Sequence, residues 1–426
     1  MKENFSSTSR RSFLKHAFTV PAALAVAPSL MLAEDQPAAA ETKPVEKPAE
    51  AKPAEKSAEP LAMLPTRKLG KTDRHVTMLN MGGMEKALSV GYIDIAWASG
   101  IRYFDTADCY MKGKSEQIFG EWLAKYPERR KDTFLVSKDH PKQSPKQLLE
   151  MIDRRLENIG AKYLDAFYIH QMSPREYGED SVNWPKSDEF KKVAEELKSS
   201  GKVKMVGFSC HDGRLNDYLT AAAAGGFVDI IMLAYNPFYT KGDAFDKALD
   251  ACHDKGIALI AMKTMRNTKE VPARLPEFDK LGLTTHQAVL HAVWSDPRIS
   301  SICNNIDNTS QMETSTAAAR SYKKPLSVAH RELLQTTILA SKNHTFCPGC
   351  PSCNAFAAKS QLALKDISRS VTYYEQDGDL AARELYQSLP ALHRDAGGLD
   401  LAALRDGCDF RVDYPALVKR AERYFA

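Results

Sequence analysis

Four side chains of complementary chemistry stand at the ends of short apolar runs. Asp105 closes Arg102-Tyr103-Phe104-Asp105, and Tyr110 follows it in Asp105-Thr106-Ala107-Asp108-Cys109-Tyr110. Lys138 closes Phe134-Leu135-Val136-Ser137-Lys138, and His170 closes Phe167-Tyr168-Ile169-His170. A phenol is a weak acid, with a free pKa of about 10. An ammonium beside it favours the phenolate and lowers that pKa, and a carboxylate on the ammonium holds the charge in place. An imidazole N–H can orient and polarise a carbonyl oxygen. Together the four suit carbonyl reduction, which needs a hydride on carbon and a proton on oxygen. Singly, each has a plainer use: a core histidine, a structural Lys–Asp pair, a packing tyrosine. Their recurrence at successive strand ends favours a site.

A second constellation lies near the C-terminus. Phe346-Cys347-Pro348-Gly349-Cys350-Pro351-Ser352-Cys353 has the spacing C-x2-C-x2-C, and Cys408 is the one other cysteine in that part of the chain. Such compact spacing suits thiolates closing on one inorganic centre. The alternatives are a four-thiolate zinc site, with His344 as a further ligand, and a disulfide such as Cys350–Cys408. Cys109, Cys210, Cys252 and Cys303 read as small core residues, with Cys109 and Cys210 placed to line a site. Met78, Met81 and Met84 read as core rather than as metal ligands.

The elements between these residues must bring them together. β-type runs over residues 76–81, 102–105, 133–138, 166–170, 204–209, 229–234, 258–262 and 300–303 alternate with amphipathic stretches. Over 147–159, for instance, Leu148, Leu149, Ile152, Leu156 and Ile159 recur at helical spacing. Further helices are expected over 190–198, 215–224, 244–255, 285–294 and 310–319. The alternation predicts an α/β fold, a (β/α)8 TIM barrel, whose C-terminal strand ends converge on one mouth. No G-x-G-x-x-G follows the first strand, which counts against a doubly wound sheet. The loop of about 20 residues between His170 and the next helix is the kind on which barrel sites are built. Residues 221–224, an alanine run before Gly225-Gly226, read as a helix end.

Composition sets the outer limits. The chain has 426 residues, 43% hydrophobic and 26% charged, with a formal charge of +4, which is ordinary for a globular protein. No basic stripe with interleaved aromatics occurs, so no nucleic-acid partner is expected. The N-terminus opens with Ser9-Arg10-Arg11-Ser12-Phe13-Leu14-Lys15 and an apolar run over 17–33. That order is a secretory signal, and the paired arginines make it look like a twin-arginine signal, which exports folded proteins. The run is shorter than the roughly 20 residues a comfortable span needs, so no membrane span is expected in the mature chain. Residues 34–65 are almost only Ala, Pro, Glu and Lys and read as an extended linker. The expected organisation is a signal over 1–33, a linker over 34–65, a barrel over 66–322 and a helical Cys-rich extension over 323–426.

Several motifs resemble the aldo-keto reductase family. They are Phe104-Asp105-Thr106-Ala107 with Tyr110, Gly113-x-Ser115-Glu116 with Gly120, Leu164-Asp165-Ala166-Phe167-Tyr168-Ile169-His170, and Gly201-Lys202-Val203-Lys204-Met205-Val206-Gly207-Phe208-Ser209. The resemblance runs from about residue 67 to 319. It implies Tyr110 as general acid, Lys138 and Asp105 as its tuning pair, and His170 as substrate orienter. It further implies NAD(P)H at the barrel mouth and hydride transfer with a small carbonyl or alcohol, a sugar among the candidates. The chain departs from the family where Cys210, Met232 and Met262 replace the usual Asn, Gln and aromatic residue beside the nicotinamide. Cys303-Asn304-Asn305-Ile306-Asp307-Asn308 also lacks the cation expected against a 2′-phosphate. Ser209, Lys263 and Asn304 remain as candidate cofactor contacts.

The tail is similar to the ferredoxin-like extension of one aldo-keto reductase subgroup. That implies a 4Fe–4S cluster on Cys347, Cys350, Cys353 and Cys408, with zinc as the alternative. The combined expectation is a periplasmic oxidoreductase exported by the twin-arginine translocation machinery, with a redox partner if the cluster relays electrons. The alternative is a catalytically weak barrel acting as a binding or redox-sensing subunit.

Overall fold

The structure, a computed structural model, describes residues 61–425 apart from 84–87, 239–242, 266–267, 269–270, 341–346, 348–352, 354–360, 379 and 409. The expected signal, most of the linker, and Cys350 lie outside the described residues. A short antiparallel hairpin comes first, β1 (Thr66–Lys68) with β2 (His75–Thr77). Eight parallel strands then close a barrel: β3 (Leu79–Gly82), β4 (Tyr103–Asp105), β5 (Phe134–Asp139), β6 (Leu164–Ile169), β7 (Val203–Cys210), β8 (Ile230–Ala234), β9 (Ala258–Met262) and β10 (Ile299–Asn304). Closure is between β3 and β10, where Asn80 Nδ2 donates to Ser301 Oγ at 3.1 Å. The expected barrel is therefore present.

Strand alternation sorts side chains into two layers. Tyr103, Val136, Ala166, Tyr168, Met205, Ile230, Met232 and Ile260 fill the barrel interior. Phe104, Leu135, Phe167, Ile169, Phe208, Ile231 and Leu233 face outward and pack under the helices. The helix Leu148–Ile159 shows the local logic. Its apolar stripe buries Leu148, Ile152, Leu156 and Ile159, and Gly160 ends it at φ 63°, a left-handed conformation glycine takes without strain.

The single strand expected over 76–81 is two strands with a break at Met78. Met78 O accepts from Ile302 N and from Trp294 Nε1, both at 2.9 Å, so the chain turns there from the hairpin into the barrel. The hairpin forms the barrel floor. Leu69 and Val76 join the interior layer, and Lys71 N donates to Gly256 O at 2.8 Å just before β9. Arg67 locks the seam by donating from Nη1 to Ile299 O at 2.8 Å and from Nη2 to Trp294 O at 2.5 Å. The end of the expected linker is packed rather than extended. Leu61 N bonds Ala98 O at 2.8 Å, and Leu64 is buried.

After the helix Thr309–Ser321 the chain adds a helical extension, as expected. Its core is continuous with the barrel: Leu334, Ile367, Val371, Leu417 and Phe425 share one cluster with Phe278, Val289 and Ala292. Among the described residues, no helix is long and apolar enough to cross a membrane.

Candidate active site

Parallel register delivers the four expected residues to one end of the barrel. Asp105 ends β4 beside Val136, Lys138 of β5 pairs with Tyr168, and His170 directly follows β6. Lys138 is wholly buried, and its three N–H groups meet three acceptors. They are Asp105 Oδ1 at 2.5 Å, Thr106 O at 2.9 Å and Tyr110 Oη at 3.1 Å. Because the phenol oxygen accepts from the ammonium, its own proton is directed elsewhere. The Tyr110 ring meets His170 edge-on, with centroids 5.4 Å apart.

Electrostatics refine the sequence expectation. Burial disfavours the Lys138 ammonium, but Asp105 and Tyr110 outweigh it and hold its pKa above the usual value. Burial pushes the Asp105 carboxyl up, against the pull of Lys138. A lowered pKa was expected for Tyr110. Lys138 does act in that direction, but burial of the phenol is the larger effect, and the pKa stands above its ordinary value. Burial likewise lowers His170 to about 3, against its contact with Asp108, so the imidazole is neutral at ordinary pH.

Buried polar residues brace this set. Glu116, fully buried, accepts from Ser137 Oγ at 2.6 Å and from Asn158 Nδ2 at 2.9 Å, and pairs with Arg155 Nη1 at 3.1 Å. Arg155 Nε also reaches Asp139 Oδ2 at 3.3 Å. Ser115 bonds Thr106 Oγ1 at 2.6 Å and Gly83 O at 2.7 Å. The Ser115-Glu116 motif thus fixes the backs of the strands that carry Asp105 and Lys138. Tyr177 Oη donates to His170 O, fixing the backbone on the far side.

Sequence reasoning missed two members of this mouth, Asp108 and His140. His140 Nδ1 lies 3.1 Å from Asp108 Oδ2, and the His140 and His170 rings are 4.6 Å apart between centroids. The only signal was position: each lies within three residues of a strand-end residue already singled out. Cys109 does sit at the mouth, its Sγ 3.6 Å from His170 Nδ1. Cys210 does not. It belongs to the outward layer, where its Sγ donates to Met172 O at 3.2 Å. Cys252 is buried too, as expected.

The candidate cofactor contacts separate. Ser209 shares the interior-facing parity of Met205 and Gly207, and its Oγ accepts from Gln171 N at 2.9 Å, which leaves its hydroxyl proton to donate. Lys263, at φ 60°, donates from Nζ to Tyr373 Oη at 2.8 Å. Asn304 turns to the helix behind it and donates from Nδ2 to Ser315 Oγ at 3.1 Å, away from the four-residue set. Tyr373 also lies 3.2 Å from His211 Nδ1, and Arg369 pairs with Asp212 at 3.3 Å. The helix Leu364–Asp377 of the extension therefore docks on the loops after β7 and β9.

In the extension, Cys347 and Cys408 approach one phenol. Tyr414 Oη donates to Cys347 Sγ at 3.4 Å and lies 3.8 Å from Cys408 Sγ. Burial and the charges of Cys347, Cys408 and Cys353 raise the Tyr414 pKa. Cys353 packs partly buried in the same cluster. The described cysteines carry free thiols. Among the described residues, Cys347 and Cys408 share the Tyr414 phenol as a common neighbour.

A closed eight-stranded parallel barrel with four polar side chains gathered at its C-terminal strand ends defines an α/β-barrel protein. The model of the aldo/keto reductase family matches residues 76–331, and the chain belongs to that family. An uncharacterized oxidoreductase, YqkF of Bacillus subtilis (strain 168), is 28% identical over 158 residues, 34% of this chain and 48% of that protein. This chain thus spans about half the length of that relative. D-threo-aldose 1-dehydrogenase of a Pseudomonas species is 25% identical over 263 residues, 54% of this chain and 75% of that protein. The holo form of aldo-keto reductase AKR11C1 from Bacillus halodurans superposes with a TM-score of 0.50 at 20% identity, covering 64% of this chain and 96% of its own. That likeness concerns the fold.

Proposed function

We propose that the protein transfers hydride between a nicotinamide cofactor and a small carbonyl or alcohol. The observation that carries this is the buried Lys138 ammonium, bonded at once to Asp105 and to the Tyr110 oxygen. The cofactor supplies the hydride when bound, and Ser209 has a hydroxyl proton to hold it. Tyr110 gives its proton to the substrate oxygen. Lys138 stabilises the phenolate left behind, Asp105 keeps Lys138 charged and oriented, and neutral His170 orients the carbonyl. A sugar is among the substrates this reading admits, in keeping with the name of the Pseudomonas relative, an aldose dehydrogenase.

In the same reading, Cys347, Cys350, Cys353 and Cys408 hold a 4Fe–4S cluster or zinc. The Ser9-Arg10-Arg11-Ser12-Phe13-Leu14-Lys15 stretch sends the folded protein to the periplasm. Cell fractionation with Arg10→Lys/Arg11→Lys checks the export step: retention in the cytoplasm is expected.

The engagement of Lys263 by Tyr373 and of Asn304 by Ser315 favours a second reading, a barrel that binds without turnover. Fluorescence titration of the purified chain with NADH and NADPH, beside turnover of Tyr110→Phe, separates the two. Intact nucleotide binding with at least about 100-fold lower turnover in Tyr110→Phe is expected. Binding of neither nucleotide would favour the second reading, in which the barrel acts as a binding or redox-sensing subunit.

A further inference from the structure

Beside the Lys138 set, three loops bring together four side chains that the proton-transfer chemistry does not require as a group. Asp108 and Cys109 follow β4, His140 follows β5, and His170 follows β6. One ligand atom from each lies within 4.8 Å of all the others. His140 Nδ1 to Asp108 Oδ2 is 3.1 Å, Cys109 Sγ to His170 Nδ1 is 3.6 Å, and His170 Nδ1 to Asp108 Oδ1 is 3.8 Å. Tetrahedral bonds of about 2.0–2.3 Å to one zinc ion set neighbouring ligand atoms roughly 3.3–3.6 Å apart.

We propose that Asp108, Cys109, His140 and His170 bind a transition-metal dication of the Zn2+ type at the barrel mouth. One thiolate, two imidazoles and one carboxylate suit Zn2+ and disfavour the hard cations Mg2+ and Ca2+, which take oxygen ligands. Asp108 Oδ1 is a buried carboxylate oxygen without a hydrogen-bond partner among the described residues, aimed at this group.

The backbone that carries the ligands is fixed. Asp108 N donates to Lys138 O at 3.1 Å, His170 N to Asp139 O at 2.8 Å, and His140 N to Asp139 Oδ1 at 2.8 Å. The Asp139 carboxylate is itself held by Arg155. Such second partners orient metal ligands. The ion would take the Nδ1 edge of His170. That leaves the ring proton on Nε2, the nitrogen that remains to face a carbonyl oxygen. The metal site stands whether or not Tyr110 donates a proton.

The test is metal binding by the intact chain, read without turnover. Zn2+ stoichiometry is measured by competition with a chromophoric chelator. Co2+ is then added in place of Zn2+, and its thiolate charge-transfer and tetrahedral d–d bands are recorded. The proposed function gives the C-terminal thiols metal too, so the comparison is run in the Cys347→Ser/Cys350→Ser/Cys353→Ser/Cys408→Ser background as well as in the unaltered chain. In both, one ion is expected at the mouth, bound roughly 100-fold or more weakly after His140→Ala. Cys109→Ser should abolish the charge-transfer band attributable to this ion. Equal stoichiometry and affinity with and without Cys109→Ser/His140→Ala overturns the proposal. So does a Co2+ spectrum in the quadruple background that lacks thiolate character. Near-UV circular dichroism identifies any variant that fails to fold, and Cys109→Ser alone, at a solvent-exposed position, then decides.

Discussion

The network at Lys138 concentrates catalytic and structural stakes in one side chain. Lys138→Met removes the partner of a buried carboxylate whose other oxygen already lacks a hydrogen bond among the described residues. Breaking a buried pair from one side costs about 3–5 kcal/mol. Lys138→Met should therefore lower the melting temperature as well as abolish turnover, with both read on the same preparation. The pH profile follows from two shifts. Tyr110 must be protonated to act as an acid, and burial raises its pKa, so reductive kcat/KM should fall only above pH ~10. His170 must be neutral, and burial lowers its pKa to about 3, so no acid limb should appear near the usual imidazole value of about 6.5. Profiles of kcat/KM against pH check both. The four-residue set was legible because Asp105, Lys138 and His170 stood at strand ends, with Tyr110 five residues after the first. The rise at Tyr110 was not, because it depends on how deeply the phenol is buried. His140 and Asp108 were not legible because their meaning lies in mutual distance, which a one-dimensional pattern does not carry.

Strands that touch this closely constrain residues far from the chemistry. Gly207 of β7 lies so near β8 that a Cβ there would sit 1.7 Å from Ile230 O. Gly207→Ala must part the two strands, and Ser209 two residues on moves with them. Overpacking typically costs 1–3 kcal/mol, and a clash with backbone should exceed about 3 kcal/mol. A urea midpoint measures this, and nucleotide titration shows whether Ser209 was displaced. The barrel strands were legible from their alternation with helices, and their observed bounds lie within about two residues of expectation. The split at Met78 was not, because residues 76–81 form one apolar run. The break arises from the partners of one carbonyl, Ile302 N and Trp294 Nε1, which are distant in sequence.

At the scale of the whole molecule, charged and aromatic contacts join the extension to the barrel loops beside the apolar cluster they share. Arg369 donates from Nη1 to His211 O and pairs with Asp212 and Asp366. Arg369→Ala should therefore loosen the loop after β7 and the helix Leu364–Asp377 together. Hydrogen exchange should show lost protection in both segments and retained protection in β5 and β6. The helical extension was legible from its sequence, but its docking on the mouth was not, since such long-range pairings leave no periodic trace.

The hairpin across the bottom, with Leu69 and Val76 sealing the interior and Arg67 bolting the seam, has a kinetic consequence. With the interior packed by side chains and its floor covered by the hairpin, reactants reach the site from the mouth alone. Whichever reactant lies deeper must enter first and leave last, so the two cannot exchange independently. Steady-state product inhibition should accordingly follow a compulsory-order pattern, with the deeper occupant competitive only against its own oxidised or reduced form.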